Sequence, residues 1–202
     1  MNRMSRPNWI KGLISGAIVS LCATVGLAGD SKPISVTDDS FGCIREMTPV
    51  RGFFVDSLTD NLEATLKVAN SKKGGVYPAG SVVQLVPGEV MVKHPEGTSP
   101  KTNDWEFFEL AVSAEGSQIA KRGYEDVVNK FGGNCLDCHI KAELQWDLVC
   151  ENDHGCDPIP LTRELLDIIQ KTDPRCKDNP ALSEEEITKL KMLQKMLNPS
   201  AS

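Results

Sequence analysis

Histidine is scarce in this chain, with three residues in 202 beside seven cysteines. A motif that sets cysteines and a histidine at fixed spacing therefore arises by accident on the order of a few times in a thousand such chains. Positive charge is not in excess either, since 22 Lys and Arg stand against 28 Asp and Glu for a net −6. A chain of that balance is a poor nucleic-acid binder, and the sign fits solubility or a basic docking partner. No internal repeat is visible, and the polar tail Asn198 to Ser202 is the one low-complexity stretch. Nor does any apolar run reach the roughly 20 residues of a membrane-spanning helix.

The apolar run that does exist, Leu13 to Leu27, is short and interrupted by Ser15 and Ser20. Arg3, Arg6 and Lys11 precede it without an acidic residue, and it ends in Gly26-Leu27-Ala28, small at the cleavage positions. Residues 1–28 read as a secretory signal peptide. Cys22, preceded by Ser20-Leu21, does not fit a lipid-attachment site and is lost on processing. Cleavage takes the net charge from −6 to about −9 and leaves roughly 174 residues, enough for one core and one domain, 29–202. The expected location is the periplasm, an oxidising compartment, with no membrane span after cleavage.

Cys135-Leu136-Asp137-Cys138-His139 is a C-x-x-C-H pentapeptide. Two intervening residues on a helical turn space the sulfurs to bridge a macrocycle, and the adjacent imidazole points at its centre. The expected cofactor is one covalent haem c, with Cys135 and Cys138 as thioether sites and His139 as proximal iron ligand. The competing readings are a reducible disulfide, or half of a zinc site completed by Cys150, His154 and Cys156. Cys43, Cys150, Cys156 and Cys176 remain and make two disulfides in three arrangements. The favoured pairing joins Cys150 to Cys156 in a tight loop and Cys43 to Cys176 across the chain. His154, inside that loop, reads as a surface or structural residue ahead of a second haem or metal ligand.

Around the motif the pattern is mixed. A loose segment spans Asp30 to Ser40, and Leu58, Leu62, Leu66 and Ala69 recur at helical spacing up to the Ser71–Gly75 break. Tyr77 to Val92 is valine-rich and cut by Pro78-Ala79-Gly80 and Pro87-Gly88, which predicts two short strands. Asp104 to Ser113 concentrates Trp105, Phe107, Phe108 and Leu110 in a third strand. Tyr124, Val127, Val128 and Phe131 predict a helix that leads through Gly132-Gly133 into the motif. Two helices follow, near Arg163 to Lys171 and from Ser183, where Ser183 and Glu186 form a capping box. The fold class is α+β, an antiparallel β-sheet packed against helices, with the covalent haem near a helix late in the chain.

Tyr77-Pro78-Ala79-Gly80-Ser81, Val90-Met91-Val92-Lys93, Asp104-Trp105-Glu106-Phe107-Phe108 and the late Cys135–His139 motif together resemble the cytochrome P-four-sixty and cytochrome c-prime-beta family. The resemblance spans about Leu58 to Asp147. It implies a periplasmic monohaem protein, antiparallel sheet against helices, with an open or water-occupied iron face and, in some members, hydroxylamine or nitric oxide chemistry. A homodimer is among the assemblies it implies. The lysine that hydroxylamine-oxidising members join to the haem has no counterpart in Val82-Val83-Gln84-Leu85. The cysteine-bearing extension after the motif is also a departure.

The sixth iron position decides between functions. Met91 is the first candidate ligand, with Met192 and Met196 on the last helix behind it; core packing is the alternative for each. His94, followed by Pro95, reads as a strand-end surface residue. Glu89, Lys93, Glu106 and Phe108 are candidates for a distal pocket, although a solvated strand face is the first reading of the three charged ones. Two expectations follow: a one-electron carrier between periplasmic redox partners, or an open-iron protein that takes a small gaseous or nitrogenous ligand. An exported disulfide or zinc protein without haem is the third.

Overall fold

Glycine and proline punctuate the middle of the chain, and strands form in the apolar stretches between them. The computed structural model describes residues 32–159 and 161–197; the expected signal peptide, with Cys22, lies outside them. Six strands run antiparallel in chain order: β1 (Thr48–Val50), β2 (Phe53–Ser57), β3 (Ser81–Val86), β4 (Glu89–Lys93), β5 (Trp105–Ser113) and β6 (Gly116–Gly123). The helices are α1 (Leu62–Ala69), inserted between β2 and β3, α2 (Cys135–His139), α3 (Arg163–Lys171) and α4 (Glu184–Leu197). The α+β class and the antiparallel sheet against helices are thus as the sequence indicated. No helix among the described residues is long and apolar enough to cross a membrane.

Strand alternation sorts the apolar side chains onto two faces. Val55, Val83, Met91, Trp105 and Phe107 face one way and pack with α1, Leu148 and Val149, and Cys135 and Leu136 pack against that cluster. Val82, Val90, Val92, Phe108 and Leu110 face the other way, under Val36 and Phe41. The segment expected to be loose therefore covers the second face from residue 32 onward through Val36, and the Phe41 ring just after it lies 5.3 Å from that of Phe108.

The same segment overturns the surface reading of His94. Its ring is buried, its Nδ1 accepts from the Ile34 amide at 3.0 Å, and its Nε2 lies 2.8 Å from Glu106. An amide can only donate, so Nδ1 is bare and Nε2 carries the proton given to Glu106. The expected helix over Tyr124–Phe131 is also absent. Asn129 Oδ1 accepts from the amides of Phe131 and Gly133, and Val128 bridges to Asn134, so the segment closes as a turn. The local side-chain acceptor outcompetes the helical ladder.

Beyond the motif, the two expected helices form. Thr162 caps α3, and Ser183 and Glu186 make the reciprocal box at the start of α4. Cys43 is bonded to Cys176 and Cys150 to Cys156, with Cα atoms 4.8 and 5.8 Å apart, which is the favoured connectivity.

Candidate functional site

The motif forms a helix because Asn134 starts one. Its Oδ1 accepts from the Asp137 amide at 3.1 Å, while its Nδ2 donates to the carbonyl of Glu125. Cys135 N–H donates to Val127, so the entry to α2 is pinned from both sides. Five residues of helix then set Cys135 and Leu136 against the first sheet face and His139 beside Phe107, with Cys138 exposed.

Both thiols are unpaired, although the other four described cysteines are bonded. Cys135 is half-buried, and burial, then the nearby Glu89 and Glu109 charges, push its thiol up to about 12. A dithiol built for disulfide exchange needs a thiolate and a lowered value, so this environment does not suit that chemistry.

His139 is oriented from behind. Its Nδ1 lies 2.7 Å from the carbonyl oxygen of Leu148, which only a protonated Nδ1 can satisfy, and the ring packs 5.3 Å from that of Phe107. Burial lowers its pKa, with the Leu148 hydrogen bond acting in the opposite sense. The tautomer that results is neutral with Nε2 unprotonated, and Nε2 makes no hydrogen bond among the described residues. An imidazole held in this way is a ligand-ready group.

The strand pleat divides the four residues suggested for a distal pocket. Glu106 and Phe108 belong to the second face, where Glu106 is held by His94 and Arg122 and Phe108 lies under Phe41. They are thus on the far side of the sheet from the motif, because one residue of register reverses the face. Lys93 faces the motif side, but its amine is bound by both oxygens of Asp147, at 2.9 and 2.7 Å. Glu89 remains near the motif, opposite Glu109 across the β4–β5 ladder and close enough to both Lys130 and Cys135 to share their fields.

Of the methionines, Met91 is buried in the first-face cluster, directly across the ladder from Phe107. Met192 is 62 % exposed on α4, which packs on α3. The Met196 side chain lies outside the described residues. His154 stacks on Trp146 with ring centroids 3.7 Å apart and engages the Val149 carbonyl at 2.8 Å, in line with a structural role. The one His/Cys/Asp/Glu cluster compact enough for an ion among the described residues is Cys43, Asp173 and Cys176, whose sulfurs are bonded to each other and whose carboxylate is taken by Ile44 and Arg175.

Asp147, Leu148 and Glu109 are parts of the site that carry no local signal in the sequence. Their roles arise from contacts with residues 9 to 70 positions away, and for Leu148 from a backbone atom. No protein-family model, curated protein or solved structure matches the chain.

Proposed function

We propose that the protein is an exported, periplasmic monohaem c-type cytochrome, with Cys135 and Cys138 as thioether sites and His139 as the iron's proximal ligand. The observation that carries this reading is the state of the three side chains. Two cysteines remain as thiols beside a histidine whose Nδ1 is committed to a carbonyl, in a chain that pairs every other described cysteine. In the chain on either side of them Val128, Phe131, Ile140 and Leu144 are 38, 39, 57 and 95 % exposed, apolar side chains left open to solvent. The residues fit haem. They do not fit zinc as well, because the Cys150–Cys156 disulfide removes two of the three additional ligands that site needed.

When bound, haem supplies one-electron exchange between ferric and ferrous iron. The chain's own contributions are separate. Cys135 and Cys138 would hold the cofactor through two covalent bonds, which would keep it in place in an open compartment. His139 offers a bare Nε2 because Leu148 holds its other proton. Phe107 backs the imidazole with its ring 5.3 Å away.

Electron transfer to a periplasmic redox partner is the function this arrangement supports. A second reading, an open iron that takes nitric oxide or a related small molecule, gains from Met91. It is buried in the first-face cluster across the ladder from Phe107, which favours the core-packing reading of this methionine over a ligand role.

The test is the visible spectrum and intact mass of protein made in cells with the c-type haem attachment machinery. A mass gain of one haem, lost when Cys135 and Cys138 are both replaced by Ala, supports attachment. A low-spin ferrous spectrum indifferent to carbon monoxide supports the electron carrier, and a high-spin one that shifts with the gas supports the open iron. A colourless product of unchanged mass overturns the haem reading.

A further inference from the structure

The carbonyl that orients His139 belongs to a backbone turn that would not hold its shape unaided. Asp147 and Leu148 are consecutive non-glycine residues with φ of 50° and 64°. Left-handed backbone costs an L-residue on the order of 1–2 kcal/mol, and two in succession require outside support. That support converges on Asp147. Its carboxylate receives the Lys93 ammonium on both oxygens and the Tyr77 amide at 2.8 Å, and its carbonyl accepts the Trp105 indole N–H at 2.7 Å. The ion pair is almost completely buried, with side-chain exposures of 5 % for Lys93 and 3 % for Asp147. The Lys93 amine also donates to the Asn103 carbonyl and sits 5.1 Å above the Trp105 ring, so its position is fixed in turn by the sheet.

We propose that Lys93 and Asp147 are positioning residues for His139: the buried pair locks the left-handed turn, the turn presents the Leu148 carbonyl, and that carbonyl sets the tautomer and plane of the imidazole. The link runs from β4, through a contact 54 residues distant in sequence, to the next residue's backbone oxygen. Its chemical consequence follows from the hydrogen bond. A carbonyl held against Nδ1–H raises the electron density on Nε2 and strengthens it as a ligand, and loosening the carbonyl reverses both effects. The inference rests on the ligand role of His139, but the hydrogen bond itself is open to measurement whether or not haem is attached.

Removing one partner alone would leave a buried charge and unfold the turn for a trivial reason. The test therefore uses Lys93→Met combined with Asp147→Asn, which keeps an oxygen for the Tyr77 amide and no net buried charge. Val55→Ala serves as a control, since Val55 is fully buried in the same apolar cluster and its side chain makes none of the hydrogen bonds that hold the turn. The first readout is proton–nitrogen NMR of protein labelled at histidine. The expected result is that the double variant loses the slowly exchanging His139 Nδ1–H resonance while Val55→Ala keeps it at comparable or lower thermal stability. The second readout, on protein carrying haem, is the ferrous iron–histidine stretch and the midpoint potential, expected to fall and to rise respectively in the double variant only. A double variant that folds and keeps the Nδ1–H resonance unchanged overturns the proposal. Protein that carries no haem but loses that resonance in the double variant retains the positioning role and refutes the proximal-ligand reading instead.

Discussion

Glu89 and Glu109 stand directly opposite each other across the β4–β5 ladder, two carboxylates at one register. Like charges so placed repel, and burial beside Cys135 removes the water that would screen them. One Glu89 oxygen is buried with no hydrogen-bond partner among the described residues. Burial, then the Glu109 charge, pushes the Glu89 carboxyl up to about 7, against partial relief from Lys130 and Asn129. Burial raises Glu109 as well.

Glu89 therefore makes folding pH-dependent in a defined window. The native protein holds this proton more tightly than the unfolded chain does, so the associated stability is complete below about pH 4.5 and is lost as pH climbs through about 7. Glu89→Gln keeps the shape and removes the charge. Its expected effect is a gain of about 2–3 kcal/mol at pH 8 and little change at pH 4. Urea denaturation at pH 4, 6 and 8 measures both, and a variant with the parent's slope would assign that proton to another group.

Glu106 produces the opposite slope. Burial alone would raise its pKa, but hydrogen bonds from His94 and Arg122 outweigh burial and hold it below the usual value. Its stabilisation is present above the unfolded carboxylate pKa of about 4.5 and is lost as pH falls through the lower folded one. Glu106→Gln deprives Arg122 and the His94 N–H of a charged acceptor, with an expected loss of about 2–4 kcal/mol at pH 7 that shrinks as pH falls from 4.5 to 3. Chemical denaturation at pH 7 and pH 3 checks the difference. Equal losses at both would mean that the site responds to shape and not to charge.

The two disulfides should contribute unequally. Cys43–Cys176 closes a separation of 133 residues and Cys150–Cys156 one of 6. Chain entropy gives about 5 kcal/mol for the long closure and about 2 kcal/mol for the short one. Replacing Cys43 and Cys176 by Ala is thus expected to lower the melting temperature markedly more than replacing Cys150 and Cys156. Calorimetry of the two double variants decides, and a reversed order would indicate that the 150–156 loop carries contacts beyond closure.

These contrasts mark where sequence reading succeeds. The β3–β4 hairpin was legible because Pro87-Gly88 interrupts two valine-rich runs, and the start of α4 because Ser183 and Glu186 stand at capping-box spacing. β6 was not legible, since Gly-Ser-Gln-Ile-Ala-Lys-Arg-Gly is a mostly exposed edge with no apolar alternation. Neither was β1, a short edge carrying Pro49. The apparent helix at Tyr124–Phe131 had apolar spacing that suits a helix, yet Asn129 and two glycines impose a turn. At the site, the cysteines and His139 announce themselves by spacing, whereas the partners that orient them are assembled by tertiary contacts. His94 was misread for that reason, because its neighbour Pro95 is visible in the sequence and the strap at Ile34 that covers it is 60 residues away.

Gly74 offers an approach to the Leu148 turn from its other side. Its φ is +72°, and a Cβ there would collide with the carbonyl of Gln145, whose oxygen also accepts the Gly75 amide at 2.8 Å. Gly132, three residues before Cys135, has a similar φ of +84° but faces open space. Both substitutions to Ala incur the left-handed cost of about 1–2 kcal/mol. Only Gly74→Ala must also displace the backbone at Gln145, two residues before Asp147. Its expected loss is thus larger by about 1–2 kcal/mol, and it is expected to weaken the His139 Nδ1–H resonance, which Gly132→Ala leaves in place. Thermal melts and histidine-labelled NMR of the pair separate backbone strain from steric displacement. Equal behaviour would show that the turn absorbs the extra methyl without moving its carbonyls.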